Sequence, residues 1–110
     1  MTELENLMQE LISRIHATVE YNQYQNLLAN VKKQPDLYQR ICEYHRRSLE
    51  LQISGGENFI QRNNDLQNEY MDLQNNGLTN EFLAAEHQYC MTVRRLQQMF
   101  YEGVDIETSL

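Results

Sequence analysis

The chain has 110 residues, a formal net charge of −7 at pH 7 and 41% hydrophobic residues, which suits one domain with a core of its own. Its net negative charge opposes general binding to nucleic acid or to anionic membranes, because both are recognised through basic side chains. No apolar run approaches the roughly 18 residues of a membrane span. The acidic N-terminus lacks a signal-peptide pattern, so the two cysteines are expected in a reducing cytoplasm, without a disulfide.

The first half of the chain predicts three helices. Apolar residues in the range 3–17 share one face when spaced at helical intervals, which predicts the first helix. Thr18 can cap a second helix, which runs to about Lys33. Pro35 suits the first turn of a third helix, which runs to about Ile53 and has an unusually wide apolar face. Scarce glycine and proline favour such long helices.

The second half predicts two more helices. Ser54–Gly56 ends the third helix, and a fourth runs from about Glu57 to Gln74 with one narrow apolar seam. Asn75–Gly77 predicts a left-handed stop. Thr79 or Asn80 then caps a fifth helix, which ends near Glu102.

These elements predict an all-α fold, an antiparallel bundle of about five helices with a long helical hairpin. Residues 1–102 are expected to form a single helical domain. Residues 103–110 are expected to be a flexible C-terminal tail, because this stretch is short and is acidic after Gly103.

Two Cys/His pairs raise the question of a zinc site. Cys42 and His45 lie one helical turn apart on the third helix, as His87 and Cys90 do on the fifth. His87 falls outside the apolar face on which the other three lie, and the short cysteine spacings of known zinc modules are missing. We therefore predict no metal and no other cofactor, with Cys42 and Cys90 serving as small core residues.

His45 and Glu86 form the second candidate site. Both fall on apolar faces, and a buried polar group needs a partner, so the two side chains are predicted to form a buried polar pair. A Glu and a His could also act as general acid and base. No nucleophile, phosphate-binding loop or carboxylate cluster accompanies them, so the prediction is a non-enzymatic protein.

A set of basic residues offers an alternative, RNA-binding interpretation. Glu43 and Glu50 interleave with the arginines of the third helix, which favours ion pairing on a solvated face, so direct binding of nucleic acid is not the preferred interpretation. The residues concerned are Lys32, Lys33, Arg40, Arg46, Arg47, Arg94 and Arg95.

Surplus apolar surface predicts self-association. The wide face of the third helix and the faces of the first two exceed what the narrow seam of the fourth helix can cover, and monomers rarely expose such patches. We expect a homodimer or larger oligomer that buries part of helix 3 or of helices 1 and 2. The candidate interaction-face residues are Tyr38, Leu49, Ile60 and Met71.

The sequence also resembles a known family. The stretch from Thr18 to Gln52, a glycine-containing break, a polar helix and "NEFLAAEHQYCMTVRRLQQMF" are similar to YlbF/YmcA-like proteins, the control-of-competence-regulator-like family. The marks are Tyr21, the turn at Pro35 and Asp36, an apolar and aromatic third helix, and Ala85 with Glu86. The similarity covers about residues 3–102.

The resemblance implies a cytoplasmic, all-helical bacterial regulator or adaptor that forms dimers or larger oligomers and joins complexes with related regulatory proteins. Family members support competence, sporulation and biofilm formation, and some direct the endoribonuclease RNase Y. One branch carries a cysteine-rich C-terminal tail associated with an iron–sulfur cluster. This chain ends "EGVDIETSL", without a cysteine, and is similar to the shorter members.

Overall fold

The computed structural model describes residues 2–105, and the regular structure in that range is α-helical throughout. The predicted all-α class is confirmed. Within the described range the helices are α1 (Glu3–His16), α2 (Val19–Lys32), α3 (Pro35–Ser54), α4 (Phe59–Glu69), α5 (Met71–Gln74) and α6 (Gly77–Val104).

Local capping signals place the ends of the first three helices close to the predicted positions. The Thr2 hydroxyl accepts a hydrogen bond from the Glu5 N–H at 3.1 Å, and Thr18 accepts one from the Tyr21 N–H at 3.3 Å. Pro35 occupies the first turn of α3, where its missing N–H costs nothing. Gly55 and Gly56 follow α3 with φ of 52° and 102°, a backbone region that favours glycine and ends the helix.

The predicted continuous fourth helix is wrong, because the helix is interrupted at Tyr70. α4 ends at Glu69 and α5 begins at Met71. Tyr70 itself has φ −107° and ψ 25°, outside the helical range. The side chain of Arg40 on α3 binds the Glu69 carbonyl, which supplies a partner for a group that a helix end leaves unsatisfied.

The start of the last helix also differs from the prediction. Gly77 is its first residue and not a left-handed stop. The Asn76 side chain accepts a hydrogen bond from the Thr79 N–H at 3.0 Å, so Asn76 caps α6 in place of Thr79 or Asn80. The cap lies earlier because an Asn side chain three residues before that N–H already supplies the acceptor.

The end of α6 lies beyond Gly103, contrary to the predicted tail boundary. Gly103 is helical and α6 ends at Val104, because one glycine in a helix costs only about 1 kcal/mol relative to alanine. Asp105 has a positive φ of 60°, a conformation common after a helix. The rest of the predicted tail, 106–110, lies outside the described residues.

The chain divides into two compact units. One comprises the chain before Leu27 together with the chain after Leu83, and the other is Leu27–Leu83. We call them the terminal unit and the central unit. α2 and α6 each contribute residues to both.

The central unit contains nearly all of the buried side chains. They come from the end of α2, from α3, α4 and α5, and from the start of α6. The buried residues of this unit are Val31, Ile41, Leu51, Leu66, Tyr70, Leu73, Thr79 and Phe82.

The terminal unit contains α1, the start of α2 and most of α6. α1 has the predicted amphipathic pattern, but none of its residues is buried. Ala85 is the buried apolar residue of this unit's described part. Large apolar side chains in the terminal unit are therefore mostly exposed to solvent.

Candidate functional site

Two arginines of α3 hold the interrupted helix of the central unit. Arg40 and Arg47 lie seven residues, or about two helical turns, apart and so share one side of α3. Their guanidinium carbons lie 4.2 Å and 5.4 Å from the ring centroid of the buried Tyr70. Cation–π attraction is strengthened when the ring is removed from water, so Tyr70 is the centre of this contact.

Arg40 also binds the polar groups on either side of the interruption. Its Nε and Nη2 donate to the two Asp72 carboxylate oxygens at 3.2 Å and 3.0 Å, and Nη2 donates to the Glu69 carbonyl at 2.9 Å. The hydrogen bond to Arg40 lowers the pKa of Asp72, and the same bond raises the pKa of Arg40. The planar guanidinium can make all these bonds together, which a lysine cannot.

Arg47 adds a second attachment. Its Nη1 lies 2.6 Å from the Glu69 carboxylate and 3.4 Å from the Tyr70 hydroxyl. These bonds, to Glu69 first and to Tyr70 second, raise the pKa of Arg47. Arg40 and Arg47 were predicted to lie on the solvated side of the third helix, and that prediction is wrong, since both reach across to the next helical segment.

We call this cluster of Arg40, Arg47, Glu69, Tyr70 and Asp72 the arginine clamp. The sequence pattern alone did not predict it. An available signal was the seven-residue spacing of two arginines in α3, together with a seam tyrosine between two acids. The tertiary pairing of α3 with α4 and α5 was needed to bring those residues together, because the two arginines are between 22 and 32 positions away from Glu69, Tyr70 and Asp72 along the chain.

Side-chain amides extend the polar contacts beside the clamp. The Tyr44 hydroxyl and the Gln67 side chain are hydrogen-bonded, with Gln67 Nε2 at 3.0 Å from the Tyr44 oxygen. Gln74 Nε2 donates to Gln67 Oε1 at 2.6 Å. α3, α4 and α5 are thus joined by side-chain polar bonds around an apolar centre.

An open cavity of about 310 Å³ lies between α3 and α4. Its charged walls are already engaged: Arg62 donates to the Gly55 carbonyl and to the Ser54 hydroxyl, both at 3.1 Å, and Arg47 binds Glu69. The cavity therefore has both positive and negative side chains around the apolar Leu51 and Leu66. No reactive groups converge on it. It is lined by Arg47, Glu50, Leu51, Arg62, Asp65 and Leu66.

The predicted core role of the two cysteines is wrong, because Cys42 and Cys90 are both exposed. The buried side of α3 is narrower than its apolar pattern predicts, because it consists of Ile41 and Leu51. Cys42 instead lies beside Tyr38, and a hydrogen bond with the Cys42 thiol raises the pKa of Tyr38.

The predicted zinc ligands are divided between the two units. Cys42 and His45 lie in the central unit, and His87 and Cys90 lie in the terminal unit. His87 is exposed. Within the part of the chain that the structure describes, no group of three or more His, Cys, Asp or Glu side chains could hold a metal ion.

His45 and Glu86 are both partly buried. They also belong to different units, His45 to the central one and Glu86 to the terminal one. Their pairing stays a prediction.

The predicted interaction-face residues lie in the central unit, and three of the four are exposed. Leu49, Ile60 and Met71 have exposed fractions of 56%, 76% and 48%. Tyr38 is partly buried, with the Lys32 ammonium 5.7 Å from its ring centroid. Ile53 is also exposed, one turn beyond Leu49 on α3.

An aromatic cluster organises the terminal unit. The Tyr89 ring on α6 lies 5.4 Å from that of Tyr21 and 5.5 Å from that of Tyr24, and His16 stacks on Tyr21 at 4.3 Å between ring centroids. Burial, with a smaller contribution from Tyr21, raises the pKa of Tyr89. The cluster joins the end of α1 and the start of α2 to α6.

Beyond this cluster, two apolar rows of the terminal unit are open to solvent. The α1 row consists of Leu4, Leu7, Met8, Leu11 and Ile12. The α6 row consists of Val93, Leu96, Phe100 and Val104, of which Leu96 alone is partly covered.

These features define a class of small helical protein with exposed apolar surfaces and no recognisable reactive centre among residues 2–105. None of the helices in that range is both long and apolar enough to span a membrane. Residues 4–105 match the family described as "Control of competence regulator ComK, YlbF/YmcA". The chain therefore belongs to the YlbF/YmcA family of competence regulators, which confirms the resemblance. No curated protein and no solved structure matches the chain.

Proposed function

We propose that the chain is a non-enzymatic cytoplasmic adaptor that regulates by protein–protein contact. The observation that carries the proposal is the large number of exposed apolar side chains on α1, α3, α4 and the second half of α6. Contiguous apolar surface is uncommon on monomeric proteins and marks sites of interaction. Membership in a family of competence regulators supports a regulatory role.

The proposed adaptor self-associates and also joins complexes with related regulatory proteins. Two separate sets of exposed apolar residues support this, one in each unit. In the central unit, Leu49, Ile60 and Met71 form the face proposed for the hetero-partner. Competence, sporulation and biofilm control, and RNA processing linked to RNase Y, are the proposed settings.

Affinity capture combined with complementation tests this function. The tagged full chain, expressed in its own host, should recover regulatory proteins and restore competence to a deletion strain. Leu49→Lys and Ile60→Lys should lose both effects, since each places a charge on the proposed face. Gln52→Lys and Asn64→Lys, at exposed polar positions of the same helices, are the matched controls. Full complementation by Leu49→Lys and Ile60→Lys would contradict the proposal.

The alternative is an RNA-associated module with a local basic face. Lys32 and Lys33 form no ion pair within residues 2–105, which favours it. Arg40, Arg47 and Arg62 are engaged within the protein, which weakens it. RNA binding that declines with salt and is lost in Lys32→Gln/Lys33→Gln would favour the alternative over the adaptor.

A further inference from the structure

The Glu69 carbonyl has two alternative hydrogen-bond donors. In the structure it accepts a hydrogen bond from Arg40 Nη2 at 2.9 Å. In a continuous α-helix its partner would be the N–H of Leu73, one turn further along the chain. That N–H instead donates to the Tyr70 carbonyl at 3.0 Å. The Glu69 carbonyl and the Leu73 N–H therefore have a partner in either arrangement, and the interruption at Tyr70 is an exchange between them.

The local sequence is compatible with the continuous arrangement. Neither glycine nor proline occurs from Phe59 to Gln74, so no residue of this stretch breaks a helix by its own backbone preference. The buried Leu66, Tyr70 and Leu73 have the alternating spacing of residues that share one face of a continuous helix. The same side chains therefore face the core in both arrangements.

The contacts that hold the interruption lie at the edge of the core. The side chains of Arg40 and Asp72 are 35% and 59% exposed, and an ion pair with this exposure stabilises a protein only weakly. The net contribution of one hydrogen bond to the Glu69 carbonyl is also small. Because the two arrangements differ by contributions of this size, they are close in free energy, and Arg40 decides between them.

We propose that Phe59–Gln74 is a two-state segment controlled by Arg40. While Arg40 binds the Glu69 carbonyl and the Asp72 carboxylate, the segment is interrupted at Tyr70. When Arg40 is withdrawn, the Leu73 N–H binds the Glu69 carbonyl and the segment becomes one helix. A continuous helix places Ile60 and Met71, about three turns apart, in one row, so the change of state moves Met71 relative to Ile60 on the exposed surface.

Nuclear magnetic resonance of the purified full chain tests this change of state, with Arg40→Met as the main variant. Methionine keeps an unbranched side chain and removes every hydrogen-bond donor. In the wild type, the Tyr70 Cα chemical shift should be non-helical, and no coupling across a hydrogen bond should join the Leu73 nitrogen to the Glu69 carbonyl carbon. In Arg40→Met, the Tyr70 shift should become helical and that coupling should appear.

Arg46→Met is the matched control. Arg46 lies on the same helix as Arg40 and pairs with Glu50 of that helix at 3.9 Å, so its removal should leave the wild-type shift at Tyr70. Asp72→Ala is the second variant, because it frees Arg40 from its carboxylate without removing a buried side chain. It should move the Tyr70 shift part of the way toward the helical value.

A wild-type shift at Tyr70 in an Arg40→Met protein that unfolds cooperatively in urea would overturn the proposal. If Arg40→Met does not fold, the same result in Asp72→Ala would overturn it. Either result would mean that the packing of Tyr70 and Leu73 fixes the interruption without Arg40. These measurements report only the backbone of one segment, so their outcome is independent of the adaptor proposal, which host complementation tests separately.

Discussion

Thr79 is a fully buried residue whose hydroxyl has no hydrogen-bond partner among residues 2–105. An unpaired hydroxyl removed from water costs about 1–3 kcal/mol. Its backbone N–H is nevertheless bonded to the Asn76 side chain, so the backbone role of Thr79 is independent of its hydroxyl. The fold tolerates this cost because the methyl group of Thr79 fills the core of the central unit.

Thr79→Val should therefore stabilise the protein. Valine keeps the shape and removes the unpaired hydroxyl, so the free energy of unfolding in urea should rise by about 1 kcal/mol. Thr92→Val is the control, because the Thr92 hydroxyl donates to the Gln88 carbonyl at 3.2 Å and its removal brings no such gain. A lower unfolding free energy for Thr79→Val would show that the hydroxyl has a partner in solution.

The Asp72 carboxylate should make stability depend on pH. Arg40 lowers its pKa below the ordinary value of 3.8, so the stabilisation is present above that value and is lost as the pH falls through the folded-state pKa. Asp72→Asn should lower the urea midpoint at pH 7, and its difference from the wild type should shrink as the pH falls below 3.8. Asp65→Asn is the control, since Asp65 forms no ion pair within residues 2–105. A difference that persists in acid would contradict the role of the Arg40 contact.

At the scale of elements, the arginine clamp explains why the helical pattern from Phe59 to Gln74 does not form one helix. The apolar seam continues through Leu66, Tyr70 and Leu73, all of them buried. Arg40 draws the Glu69 carbonyl and the Asp72 carboxylate to the same guanidinium. The interruption at Tyr70 therefore depends on α3, a partner that the local pattern does not reveal.

The Asn76 cap gives a prediction for the start of α6. Asn76→Ala removes the acceptor for the Thr79 N–H and should lower the free energy of unfolding by about 1 kcal/mol, measured by urea denaturation. Asn75→Ala is the control, because the neighbouring Asn75 bonds through its backbone N–H to the Met71 carbonyl. Equal effects of the two substitutions would argue against the cap.

At the scale of the whole molecule, burial is divided unequally between the two units. The central unit buries Val31, Ile41 and Leu73 almost completely. α1 buries none of its residues. The central unit thus has a core within one chain, whereas the terminal unit is organised by aromatic contacts and leaves its apolar rows exposed.

Substitutions in the central unit should follow this division. Leu73→Ala should cost about 2–5 kcal/mol, because a 2%-exposed leucine leaves a cavity when it is truncated. Leu49→Ala, on the exposed side of α3, should change stability by less than about 0.5 kcal/mol. Urea denaturation at one fixed protein concentration compares the two, and similar losses would contradict the assignment of the core.

The sequence by itself determined the all-α class, the family, the cap at Thr18, and the ends of α3 at Pro35 and Gly55. These depend on local periodicity and on contacts within a few residues, which a chain specifies without its tertiary partners. Only the tertiary structure decided the interruption at Tyr70, the engagement of Arg40 and Arg47, the exposure of Cys42 and Cys90, and the openness of the α1 row. Each of these depends on which element lies opposite, and helical periodicity reports which residues share a face but not what covers it.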